Sequence, residues 1–123
     1  MKRARCLLFG LAAMLAWGPV RPASAHAFLD RAEPAVGSTV AAAPKSVRLW
    51  FSERLEPAFS SVHVENAAGE DVDRGDLAVD PHDRTVIGVS LKPIPPGTYK
   101  VRWRAVSVDG HATEGDFVFT VGR

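Results

Sequence analysis

Between His26 and Arg123, apolar residues recur at every second position over several short stretches, and no helical period is sustained anywhere. A period of two marks a strand with one face turned to a core. Val47-Arg-Leu-Trp-Phe-Ser-Glu53 is the clearest case, with Val47, Leu49 and Phe51 on one face and Arg48, Trp50 and Ser52 on the other. The same pattern turns Val62 and Val64 inward, then Tyr99, Val101, Trp103 and Ala105, then Phe117, Phe119 and Val121. Further strands are expected over 26–31, around Asp76 to Val79, and over 85–91. Between them stand turn-forming clusters such as Glu33-Pro34-Ala35-Val36-Gly37-Ser38, Asn66-Ala67-Ala68-Gly69 and Lys92-Pro-Ile-Pro-Pro-Gly97. About seven short strands in about 100 residues predict an all-β, Ig-like antiparallel β-sandwich, with a Greek-key barrel as the alternative. The cysteine pair of an antibody-type domain is absent.

The first 25 residues do not fit this pattern. Lys2, Arg3 and Arg5 precede an apolar run from Cys6 to Trp17, helix breakers follow at Gly18, Pro19 and Pro22, and Ala23-Ser24-Ala25 ends the stretch. This is the layout of a secretory signal peptide, and the apolar run is short for a bilayer span. The expected organisation is therefore a leader over 1–25 and one domain over 26–123, exported to the periplasm. Lys2, Arg3, Arg5 and Arg21 leave with the leader, so the remaining 11 basic and 14 acidic residues give a net charge of −3. A mildly acidic domain gives no support for nucleic-acid binding. Cys6, Met1 and Met14 also lie in the leader, so the processed chain offers a metal no thiolate or thioether.

Chemistry concentrates in Asp109-Gly110-His111, where two strand patterns meet. In extended chain, residues i and i+2 point the same way, so a carboxylate and an imidazole converge there, and Gly110 permits a bend or a positive φ. The other histidines are His26, His63 and His82. His63 alternates with Val62 and Val64 and is read as a surface residue. His82, in Asp80-Pro-His-Asp-Arg84, is read as a loop histidine. His26 differs because cleavage after Ala25 would give it a free α-amine. The amine and Nδ1 can then chelate one ion in a six-membered ring, which favours Cu(II). Glu53 follows a core strand and is placed toward the same end. Trp50 and Trp103 are read as core or interface aromatics, and Arg48, Arg102 and Arg104 as a solvated sheet face.

His26-Ala-Phe-Leu-Asp-Arg-Ala-Glu-Pro-Ala-Val-Gly37, Val47-Arg-Leu-Trp-Phe-Ser-Glu53 and Asp109-Gly-His-Ala-Thr-Glu-Gly-Asp-Phe-Val-Phe-Thr-Val121 together resemble the CopC family of periplasmic copper-binding, copper-resistance proteins. The resemblance implies an Ig-like sandwich and one Cu(II) held by the amine and imidazole of His26, by Asp109 and by His111. It makes Glu53 an axial ligand or a neighbour of the ligands. It also implies an inner-membrane copper transporter of the CopD type as partner. The Met-rich Cu(I) site of some members has no counterpart here, because no Met follows residue 25.

The reading is a non-enzymatic copper-binding protein, monomeric and without nucleic-acid partners, that buffers or delivers copper in resistance or import. One alternative is a copper-dependent oxidative enzyme resembling a lytic polysaccharide monooxygenase. That chemistry needs an open equatorial position, whereas the amine, two imidazoles and Asp109 would fill four. The other is a metal-free Ig-like binding domain.

Overall fold

The computed structural model describes Gly18 and residues 27–123, so the rest of the expected leader and His26 lie outside the described residues. Eight strands form: β1 (Leu29–Glu33), β2 (Thr39–Val40), β3 (Ser46–Phe51), β4 (Ser61–Glu65), β5 (Ala78–Val79), β6 (Val86–Ser90), β7 (Gly97–Val106) and β8 (Ala112–Val121). They build two four-stranded sheets, ordered β1-β3-β6-β5 and β2-β8-β7-β4, and no helix occurs among the described residues. Pairing is antiparallel except for β2, which runs parallel to β8. The fold is the Ig-like sandwich rather than a closed barrel.

The inward faces are those the alternation predicts. Val47, Leu49 and Phe51 of β3 meet Val62 and Val64 of β4, Tyr99, Val101 and Ala105 of β7, and Phe117, Phe119 and Val121 of β8 in one buried cluster. Burying a side chain such as Leu49 or Phe119 fully stabilises the fold by about 1.5–3 kcal/mol relative to leaving it exposed. Tyr99 stacks on Phe119 with ring centroids 5.5 Å apart, and its hydroxyl donates to the Pro95 carbonyl. That bond pins the entry into β7, as the tyrosine of a sandwich corner does. Trp103 meets Phe51 of the opposite sheet edge-on, at 5.2 Å. Its cross-strand neighbour is Gly115, where a Cβ would lie 2.5 Å from Trp103 Cζ2. The missing side chain at 115 is the space the indole occupies.

Several expectations are corrected. The opening strand is Leu29–Glu33 rather than 26–31. Leu29 pairs with Phe51 and Arg31 with Trp50, so one extra residue is accommodated between them. That bulge shifts the inward position from odd to even numbers, and Ala32 is buried. β2 was not expected, because two residues carry no readable alternation. It forms because the chain turns at Gly37, whose φ is 71°, and then zips onto β8. Gly37 N–H donates to Val118 O at 2.7 Å, and Thr120 N–H to Ser38 O at 2.9 Å. Trp50 is not a core residue. It lies on the outer face of β3 with the guanidinium carbons of Arg31 and Arg48 at 4.6 and 5.0 Å from its ring. The arginines read as a solvated face, Arg48 half-buried and Arg102 and Arg104 exposed, are paired: Arg48 with Asp80, Arg102 with Glu65 and Arg104 with Glu114.

Candidate metal centre

Four chain segments meet at one end of the sandwich. The residues just before β1 are tied to the loop after β3, because Phe28 N–H donates to Ser52 Oγ at 2.8 Å and Ser52 N–H returns to Phe28 O at 2.9 Å. The same loop is tied to the end of β7: Val108 N–H donates to Arg54 O at 3.0 Å and Glu56 N–H to Val106 O at 2.8 Å. The start of β8 closes the set, since Thr113 Oγ1 donates to Ala27 O at 2.6 Å. Glu53 is therefore carried between two tied residues, and Asp109-Gly110-His111 forms the connection between β7 and β8.

That connection is a turn rather than extended chain, so the convergence of Asp109 and His111 has a different origin from pleated i, i+2 spacing. Ser107 N–H donates to His111 O at 2.9 Å and Gly110 N–H to Ser107 O at 2.9 Å, closing the loop. Gly110 takes φ 89°, a value side chains disfavour. Ser107, only 1% exposed, donates its hydroxyl to Asp109 Oδ1, and His111 N–H approaches the same oxygen at 3.3 Å. Asp109 Oδ2 lies 3.2 Å from His111 Nδ1. The Ser107 hydroxyl, followed by the amide and imidazole of His111, holds the Asp109 carboxyl below its usual range. Asp109 thus presents a carboxylate, and both side chains stay open to solvent, with 42% and 52% of their surfaces exposed.

The structure brings Asp109 and His111 into contact and sets Glu53, half-buried, on the adjoining loop. The carboxylate of Glu53 does not join them in a compact triad. Among the described residues, the group whose ligand atoms all lie within 4.8 Å of one another is His63, Asp71 and Asp73. His63 is exposed, as its alternation predicts, with Nδ1 3.9 Å from Asp73 Oδ2. Sequence reading missed its neighbours because 70–84 shows no strand period; the spacing of Asp71 and Asp73 around the half-buried Val72 was the available signal. Asp73 is occupied by the backbone: Val64 N–H donates to Oδ1 at 2.9 Å and Gly75 N–H to Oδ2 at 3.1 Å. It pins the excursion between β4 and β5. In the loop of His82, Asp80 accepts the His82 N–H at 2.8 Å and pairs with Arg48, which accounts for its carboxylate.

The class these features define is a small Ig-like sandwich with an oxygen and nitrogen donor set at one open end. The chain belongs to the CopC family: a CopC domain matches residues 29–122. It is 38% identical to the Escherichia coli K12 protein YobA over 120 residues, covering 96% of each chain. Among solved structures it resembles CopC from Methylosinus trichosporium OB3b, with TM-score 0.74, 35% identity, and coverage of 79% of this chain and 94% of that one. It likewise resembles PcoC, a methionine-rich copper resistance protein from Escherichia coli, with TM-score 0.70, 35% identity, and coverage of 79% and 99%.

Proposed function

We propose that this chain is a copper-binding resistance protein that, once exported and cleaved after Ala25, holds one Cu(II) ion and buffers it or passes it on. The ligands are the α-amine and imidazole of His26, the Asp109 carboxylate and the His111 imidazole, with Glu53 axial or just outside. The observation that carries this is the junction of the Asp109–His111 turn with the segment beginning at Ala27, made by the bond from Thr113 to Ala27 O. His26 precedes Ala27 by one peptide link, and Thr113 follows His111 by two residues.

The donor set selects the oxidation state. Nitrogen and carboxylate ligands suit Cu(II) in a tetragonal field, while Cu(I) favours thiolate and thioether. Residues 27–123 contain neither Cys nor Met, unlike a protein described as methionine-rich. Four filled equatorial positions leave no place for dioxygen, which favours a carrier over an oxidative enzyme. Tyr99 is buried, Trp103 half-buried, and Trp50 flanked by two guanidinium groups, so these three rings form no substrate plane. The protein acts in the periplasm as a monomer and passes copper to an inner-membrane transporter of the CopD type. The test is electron paramagnetic resonance of the processed protein with one equivalent of Cu(II), alongside chelator competition for each oxidation state. A single axial site with three nitrogen donors, and weak Cu(I) binding, are expected. Tight Cu(I) binding overturns the proposed donor set.

Acid should release the ion. Protons compete for the amine and both imidazoles, which must be neutral to bind the ion. Asp109 is not the first group to fail. Its carboxyl is held below the usual range, so it keeps its charge while the nitrogen donors take up protons. The Cu(II) affinity, measured by chelator competition, should fall steadily as pH drops from about 7 to about 5. An affinity that stays flat down to about pH 4 contradicts nitrogen ligation.

A further inference from the structure

We infer that Thr113 is a positioning residue of the copper site, one that sets the N-terminal chelate in register with the Asp109–His111 turn. The inference rests on the N-terminal ligation proposed above. Thr113 lies on β8 opposite Ala105 of β7, within the hairpin that also carries His111 two residues earlier. Its hydroxyl donates across 86 positions of sequence to the carbonyl of Ala27 at 2.6 Å. A strand in this position needs only a β-branched residue, and valine would serve its propensity and half-burial equally well. The hydroxyl is the part that secondary structure does not explain.

What it does follows from its partner. Ala27 is fully buried, so a carbonyl left without a donor there would be costly. Phe28, the next residue, is held from the other side by its reciprocal pair with Ser52. Ala27 and Phe28 are therefore clamped between β8 and the Glu53 loop, and successive Cα atoms are only about 3.8 Å apart. Fixing residue 27 restricts where the amine and imidazole of residue 26 can reach. Because Thr113 is the second residue of β8 and His111 immediately precedes that strand, the β7–β8 hairpin positions both halves of the donor set. A chelate assembled from two chain regions binds more tightly when their separation is fixed beforehand.

The test uses processed protein in four forms: wild type, Thr113→Val, and each of these with one extra Gly before His26. Cu(II) affinity by chelator competition, the paramagnetic resonance spectrum and the melting temperature of the metal-free form are recorded for all. Thr113→Val should weaken Cu(II) binding roughly three- to tenfold, the range one hydrogen bond controls, and alter the spectrum. Thr113→Ser, which restores the hydroxyl, should recover both. In the Gly-extended background, where the amine has left and only the imidazole of His26 remains to be positioned, Thr113→Val should weaken binding by a clearly smaller factor than in the processed protein. Wild-type affinity in Thr113→Val, with a large effect of the Gly extension, overturns this inference alone. Equal weakening by Thr113→Val in both backgrounds also overturns it, because the residue then acts only on the fold. If the Gly extension itself leaves affinity unchanged, the N-terminal ligation falls and this inference with it.

Discussion

Replacing His111 with alanine is expected to weaken Cu(II) binding by at least about 100-fold, beyond the 10–100-fold typical of groups that merely support ligands. The sandwich should stay folded, because His111 lies in the turn between β7 and β8 with its side chain half exposed. Substitutions at such surface positions usually shift stability by no more than about 0.5 kcal/mol. Asp109→Ala should match it in copper affinity but not in stability. Asp109 accepts the hydroxyl of the buried Ser107 and the amide of His111, so its loss removes the acceptor that shapes the turn. Asp109→Asn separates the two roles: the amide oxygen can still accept from Ser107, while the negative charge offered to copper is gone. Glu53→Ala should cost less than about tenfold, as expected of a carboxylate that tunes rather than anchors the ion. Chelator competition for affinity and thermal melts of the metal-free proteins check all four variants. Wild-type affinity in His111→Ala or Asp109→Ala would mean the ligands are misassigned.

The sandwich was readable because one-sided burial writes itself into alternate residues. Val47, Leu49 and Phe51, and again Phe117, Phe119 and Val121, announce their strands and their inward faces together. The failures lie where that rule is suspended. The bulge between Leu29 and Arg31 breaks the period inside β1, and β2 is held by its pairing to β8 rather than by any preference of Thr39 and Val40. Trp50 misleads because an indole can be shielded by arginines on an outer face as well as by a core. The meeting of Asp109 and His111 was legible from their spacing and from Gly110, though a turn rather than a pleat achieves it. Ser107 and Thr113 were not legible. Each is a small polar residue in an ordinary strand pattern, and its role appears only when its long-range partner is in place.

One glycine added before His26 of the processed chain should weaken Cu(II) binding by two orders of magnitude or more and change the copper spectrum. The expectation follows from what the addition does to a single nitrogen. With His26 first in the chain, its amine and its Nδ1 close a six-membered ring on the ion, and the amine gives up only a weakly held proton near neutral pH. With glycine ahead of it, that nitrogen becomes an amide, which does not bind Cu(II) unless it loses a far more tightly held proton. The site then keeps the His26 imidazole, Asp109 and His111, and loses both a ligand and the ring that oriented the imidazole. The fold should be unaffected, because the addition extends a chain end and leaves the ties of Ala27 to Thr113 and of Phe28 to Ser52 in place. The same reasoning applies to the uncleaved precursor, in which Ala25 occupies the position of the added glycine. Export would then switch the site on, so that the chain competes for copper only after it leaves the cytoplasm. Affinity and paramagnetic resonance spectra of the processed and extended proteins, measured side by side, decide the matter. Identical values in the two would remove the amine from the ligand set and leave only the Asp109–His111 turn with the imidazole of His26.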